Sequence, residues 1–144
     1  MIKCIAIDDE PLALAQIRAY ISKVPFLEHV AEFSNAVDAQ RFLENESVDL
    51  IFVDINMPDL NGLDFVRSLV GQKMVVFTTA YSEYAIESYK LNAVDYLLKP
   101  ISFSDFLRAA NKCKHLLACI ATIQLQAWNN LGTNRCCLDI QVSK

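Results

Sequence analysis

Residues 49–53 read Asp49-Leu50-Ile51-Phe52-Val53 (DLIFV), and Asp54 follows at once. The run is short and almost continuously apolar. A strand with one wet face would alternate, so this pattern predicts a strand covered on both faces. Working outward, Ile2–Ile7 (IKCIAI) and Lys73–Thr78 (KMVVFT) are runs of the same kind, and Val94–Leu98 (VDYLL) is a shorter one. His29–Phe33 (HVAEF) alternates and also reads as a strand.

Longer amphipathic stretches separate these runs. Glu10–Ser22 carries Leu12, Leu14, Ala15, Ile17, Ala19 and Ile21 and reads as a helix, with Pro11 suited to its first turn. Ala36–Asn45 places Ala36, Ala39, Phe42 and Leu43 on one face. Pro58, Asn61 and Gly62 mark a loop, after which Leu63–Val70 reads as a helix. Ser82–Leu91 reads as another, with Ser82 placed to cap it. From Ser102 a long helix is expected to reach about Trp128. Strand and helix thus alternate five times. That order predicts an α/β fold with a five-stranded parallel sheet, helices on both faces and right-handed crossovers. In such sheets the functional crevice lies at the carboxyl ends of the strands.

Composition narrows the function classes. The 144 residues are 53% apolar with only 3 Gly and 4 Pro, which excludes a disordered or low-complexity chain. Thirteen basic residues against 17 acidic ones leave a net charge of −4, so the chain by itself has no electrostatic footprint for nucleic acid. Leu116–Ile123 is the longest apolar candidate and is too short for a membrane span, and no signal peptide is evident. Five cysteines without a CxxC pair indicate neither a zinc site nor a disulfide framework, and a reducing cytoplasm is expected. After Trp128, Asn129–Asn134 reads as a linker, and Cys137–Val142 (CLDIQV) alternates like a first strand. Residues 1–120 are therefore expected to form one domain. Residues 121–144 are expected to be an extended helix end and a linker, followed either by the start of an output domain that is otherwise missing or by a disordered tail.

Four features fall at predicted strand ends: Asp8-Asp9, Asp54, Thr79, and Lys99 with Pro100. A parallel sheet brings all of them to one rim. Three carboxylates there repel one another unless something neutralises them. A hard divalent cation such as Mg²⁺ does so with oxygen ligands, and a Lys ammonium adds a mobile countercharge. Aimed at one carboxylate together with a Thr hydroxyl, this set suits an anion built on that carboxylate, as in phosphoryl transfer to an Asp nucleophile. Taken singly, an Asp after a strand is ordinarily a helix cap, a Thr a turn residue and Lys-Pro a surface turn. Glu10 is most simply a first-turn residue facing the helix dipole. The coincidence of the features carries the reading.

Asp8-Asp9-Glu10-Pro11, Asp54-Ile55-Asn56-Met57-Pro58, Phe77-Thr78-Thr79-Ala80 and Asp95–Pro100 together resemble the receiver domain of two-component response regulators. Phe77–Pro100 is similar in particular to receivers of the LytR/AlgR (LytTR) type, which precede a DNA-binding output domain. The resemblance covers residues 1–120 and implies a flavodoxin-like (βα)5 doubly wound sandwich. It implies that Asp54 accepts a phosphoryl group from a sensor histidine kinase. Mg²⁺ would be bound by Asp9, Asp54 and the backbone carbonyl of Asn56, with Asp8 acting through outer-sphere water. Thr79 and Lys99 would contact the phosphoryl group, Pro100 would follow a cis peptide bond, and Tyr96 would be a switch aromatic. For Tyr96, an amphipathic strand residue with a wet hydroxyl is the competing reading. The implied role is a signalling switch in transcription regulation, not an enzyme, with dimerisation linked to phosphorylation. It has no membrane partner and meets nucleic acid only through the missing domain.

Tyr81, two residues past Thr79, is expected to hinder the hydrolytic water. Two alternatives remain open at this level. A haloacid-dehalogenase-type phosphatase also uses an Asp nucleophile, but its second carboxylate would fall at Asn56. An unphosphorylated interaction module would ordinarily lack one of the acidic pair, the acceptor or the Lys.

Overall fold

The computed structural model describes residues 1–58, 60–69, 73–80 and 93–133. The elements are β1 (Ile2–Ile7), α1 (Pro11–Lys23), β2 (Leu27–Phe33), α2 (Ala36–Asn45), β3 (Leu50–Asp54), α3 (Gly62–Ser68), β4 (Met74–Thr79), β5 (Asp95–Leu98) and α4 (Phe103–Thr133). All five strands lie parallel in one sheet of order β2-β1-β3-β4-β5. The expected flavodoxin-like α/β architecture is therefore present. The predicted helix at Ser82–Leu91, the residue Tyr81 and the predicted strand at Cys137–Val142 lie outside the described residues.

Alternation along each strand divides the core. Ile5, Ile7, Ile51, Val53, Val75 and Phe77 share one sheet face with Ala36 and Ala39 of α2 and Leu63 and Phe65 of α3. The opposite face carries Phe52, on which Phe106 of α4 stacks at 5.0 Å. Tyr20 of α1 meets Phe106 at 5.4 Å and donates its hydroxyl to the Ile101 carbonyl at 2.8 Å. The central strand β3 is buried along its whole length, as its continuous apolar run requires.

Several boundaries differ from expectation for local reasons. β2 starts two residues early because Leu27 is buried and pairs with Ile2, which the charge of Glu28 concealed in the sequence. Asp49 precedes β3 and anchors it to β1, exchanging bonds with Lys3 at 2.8 and 3.0 Å. Gly62 opens α3 instead of closing a loop. The last helix does not stop near Trp128 but continues to Thr133 through the expected linker. A lone Gly in a helix costs only about 1 kcal/mol, so Gly132 does not end it.

The chain divides into two compact units, Met1–Cys113 and Lys114–Lys144. The first holds the sheet. The described part of the second is the continuation of α4. Cys4, Cys113 and Cys119 are free thiols, and burial foremost pushes Cys4 and Cys113 up to about 12. No helix among the described residues is long and apolar enough to cross a membrane.

The start of α2 offers a simple check on the elements that frame the rim. Asn35 caps it, its Oδ1 accepting from the Asp38 N–H at 2.8 Å. Asn35→Ala is expected to cost about 1 kcal/mol, read as a fall of roughly 3–6 °C in the thermal midpoint.

Candidate functional site

The parallel register delivers the charged residues to one rim. β1 ends at Ile7, so Asp8 leaves the sheet beside Asp54, the last residue of the neighbouring strand β3. β4 ends at Thr79 and β5 at Leu98, and the Lys99 N–H donates to the Thr79 carbonyl at 2.7 Å. The Lys99–Pro100 peptide bond is cis.

Carboxylate oxygens of Asp8, Asp9, Glu10 and Asp54 all lie within 4.8 Å of one another. Their surroundings are unequal. Asp8 and Asp54 are buried, whereas Asp9 and Glu10 are exposed. Lys99 reaches in from above β5. Its ammonium lies 2.8 Å from Asp8 Oδ2, 3.1 Å from Glu10 Oε1 and 3.4 Å from Asp54 Oδ2. Asp8 Oδ2 is buried and ion-paired with that ammonium. Asp8 Oδ1 accepts from the Glu10 N–H at 2.9 Å, which holds the acidic turn in shape.

Asp54 is fixed by its own loop. The Asn56 N–H donates to Asp54 Oδ1 at 3.2 Å. The Asn56 amide donates to Thr79 Oγ1 at a long 3.4 Å, linking the β3 and β4 ends. Ile55 N–H donates to the Thr78 carbonyl and Gly62 N–H to the Ile55 carbonyl, so the loop is clamped on both sides. Gly62 is needed because a Cβ there would sit 2.3 Å from the Asp54 carbonyl oxygen.

The electrostatics follow from this crowding. Burial first, and then the Asp8 charge, push the Asp54 carboxyl up to about 7, against the opposing pull of Lys99. Burial works against the Lys99 charge, but the close carboxylates of Asp8, Asp54 and Glu10 outweigh it and hold the ammonium above its ordinary range. One cation therefore faces four carboxylates among the described residues. The donor set is all oxygen and its atoms lie within 4.8 Å of one another, which fits a hard divalent cation.

The rim thus gathers Asp8, Asp9, Asp54 and Lys99, with Thr79 joined through Asn56. Tyr96 is half-buried and packs against the apolar cluster on the α2 and α3 face of the sheet. Two contributors escape a reading by motif. Glu10 does more than face the helix dipole, since it holds Lys99, and only its place beside the acidic pair hinted at this. Gly62 looked like turn punctuation, although its role is to let α3 approach the Asp54 backbone.

Comparison with known proteins gives consistent relatives. The family model described as "Response regulator receiver domain" matches residues 4–111. The transcriptional regulatory protein BtsR of Escherichia coli is 42% identical over 103 residues, which cover 70% of this chain and 43% of that protein. The sensory transduction protein LytR of Staphylococcus haemolyticus is 31% identical over 119 residues, covering 81% of this chain and 46% of that protein. The chain thus spans under half the length of these relatives. Among solved structures, the response regulatory domain of mrkE from Klebsiella pneumoniae superposes with a TM-score of 0.74 at 33% identity, covering 79% of this chain and 96% of that one.

Proposed function

The chain belongs to the response regulator receiver domain family, and from that premise we propose that Asp54 is its phosphoacceptor and that a sensor histidine kinase is its donor. The observation that carries this reading is the buried Asp54 carboxylate with the Lys99 ammonium 3.4 Å away, inside a group of four carboxylates. Asp54 Oδ would attack phosphorus in line. The bond from phosphorus to the donor's imidazole nitrogen breaks as the new O–P bond forms, and that nitrogen keeps the electron pair. Lys99 shifts toward the new phosphoryl oxygens, and the Thr79 hydroxyl, now linked to Asn56, turns to donate to one of them. Asp9, Asp54 and the Asn56 carbonyl would hold Mg²⁺, with Asp8 supporting it through water. The bound ion would supply positive charge that lowers repulsion between the entering phosphoryl group and the acidic rim.

The added charge of about −1.5 to −2 then biases the β4 and β5 ends toward a second arrangement, in which Tyr96 moves with Thr79. The role is that of a switch with no external substrate beyond its donor, acting in the cytoplasm. Residues 1–120 form the receiver. Residues 121–144 lead toward an output domain, a reading supported by relatives more than twice as long as the matched segment. Transcription regulation through that domain is the expected output, with dimerisation tied to the phosphorylated state.

Incubation with acetyl phosphate followed by intact-mass measurement tests the central step. One phosphoryl group is expected per chain with Mg²⁺ present, and none with excess chelator. An unmodified mass under both conditions, with the donor unconsumed, would overturn the assignment. Rapid donor turnover without an adduct would point instead to a phosphatase.

A further inference from the structure

Thr78 is the register partner of Asp54 on β4, and paired residues of a parallel sheet project from the same face. Leu97 is in turn the register partner of Thr78 on β5. Ile7 pairs with Val53, so Asp8 follows at the level of Asp54. Asp8, Asp54, Thr78 and Leu97 thus form one row across the sheet, on the face opposite Ile7, Val53 and Phe77. Lys99 leaves the end of β5, yet its ammonium meets Asp54 at 3.4 Å and Asp8 at 2.8 Å, on strands beyond β4. Neighbouring strands lie about 4.8 Å apart, so the lysine stem crosses the end of β4, where Thr78 lies. Thr78 is 0% exposed, and its Oγ1 has no hydrogen-bond partner among the described residues. Thr79 differs, since it projects from the other face and its hydroxyl accepts from the Asn56 amide.

A buried hydroxyl without a partner costs stability, and a valine would fill the same space without that cost. Such a group points to a partner that another state of the site supplies. In the unphosphorylated chain Lys99 faces Asp54 Oδ2, and the Asn56 N–H holds Oδ1. On the phosphoacceptor reading, on which this inference rests, the phosphoryl group draws Lys99 away. Oδ2 is then left buried beside a hydroxyl one strand away. We infer that the Thr78 hydroxyl turns to donate to Asp54 Oδ2 in the phosphorylated chain and speeds the loss of the phosphoryl group. In that hydrolysis a water oxygen forms the new bond to phosphorus and the P–Oδ bond breaks. Asp54 keeps the electron pair, and the protons of the water leave on inorganic phosphate. The carboxylate regains its negative charge as the bond breaks. A hydrogen bond to a charged oxygen is roughly twice as strong as one to a neutral oxygen, so the Thr78 bond favours the departing carboxylate over the acyl phosphate.

Thr78→Val and Thr78→Ser, compared with the wild type, test the role. The chains are loaded with acetyl phosphate and Mg²⁺, the donor is removed, and intact mass follows the phosphorylated fraction. Thr78→Val is expected to keep its phosphoryl group about fivefold longer. Thr78→Ser retains the hydroxyl and is expected to lose the group at close to the wild-type rate. Thermal melts of the unphosphorylated chains in chelator supply a readout independent of phosphorylation. The midpoint of Thr78→Val is expected to rise by about 3–6 °C, because the hydroxyl has no partner in that state. A valine chain that melts at or below the wild type places a partner for the hydroxyl in the unphosphorylated fold and overturns the inference. Equal or faster loss of the phosphoryl group from the valine chain also overturns it, while the adduct itself upholds the phosphoacceptor reading. A valine chain that takes up no phosphoryl group when the wild type does overturns it too, since the hydroxyl then serves capture and not release. A wild type that forms no adduct overturns both readings together.

Discussion

An Asp54→Asn chain is expected to take up no phosphoryl group from acetyl phosphate and, in chelator at pH 8, to be more stable than the wild type by on the order of 2 kcal/mol. The first effect follows because an amide oxygen cannot form the acyl phosphate at a useful rate, and the remaining carboxylates are not held by the β3 loop. The second follows from the site's own repulsion. Asp54 is buried beside Asp8, and these two causes raise its carboxyl to about 7 in the folded chain from 3.8 in the free group. Between pH 4 and pH 7 the folded state therefore holds a proton that the unfolded state has released. Wild-type stability falls as pH rises through that window and levels off above it. Asn removes the titrating group and so removes the loss. It can still accept from the Asn56 N–H, and Lys99 keeps Asp8 and Glu10. Thermal melts in chelator should show the two chains converging below pH 4 and separating toward pH 8. Millimolar Mg²⁺ should narrow the gap by stabilising the wild type. Equal melting temperatures at pH 8 without Mg²⁺ would show that the acidic rim is not under strain.

Gly62→Ala is expected to lower stability by about 3 kcal/mol, a fall of roughly 10 °C in the thermal midpoint. Helix propensity alone predicts the opposite, since Ala is the better helix former. The tertiary contact decides the sign. The added Cβ would lie 2.3 Å from the Asp54 carbonyl oxygen and 2.9 Å from Ile55 Cα, and both are backbone atoms of a buried strand end. Neither can swing aside as a side chain would. The helix must move out or the loop must move in, which breaks the Gly62 N–H bond to the Ile55 carbonyl at 2.8 Å. Because Asp54 sits at that point, the Mg²⁺-dependent phosphorylation rate should fall with stability. Val37→Ala, at an exposed site on α2, serves as the control and should stay within about 0.5 kcal/mol of the wild type.

Much of this was legible in the linear chain because strands and helices differ in hydrophobic period. DLIFV announced a strand buried on both faces, and β3 is buried throughout. The predicted strand ends at Ile7, Val53 and Thr78 lie within one residue of the observed ends. That accuracy sufficed to put Asp8, Asp54, Thr79 and Lys99 on one rim. The errors came where short-range signals competed with packing. Leu27 belongs to β2 because it is buried and pairs with Ile2, a partner 25 positions away that no local pattern reveals. Asn129-Asn130 and Gly132 read as a linker by propensity, yet the helix passes through them.

The residue pattern by itself determined the order of elements, the parallel sheet and the set of charged residues at its carboxyl edge. All of these follow from periodicities of two and 3.6 and from the handedness of crossovers. The sheet order, and the division of four neighbouring carboxylates into two buried and two exposed, came only from the tertiary structure. So did the position of Lys99 among Asp8, Glu10 and Asp54 and the closeness of Gly62 to the Asp54 backbone. These depend on distances between residues far apart in the chain. Desolvation and close-range charge set the Asp54 proton affinity, and both are properties of the packed interior that composition does not encode.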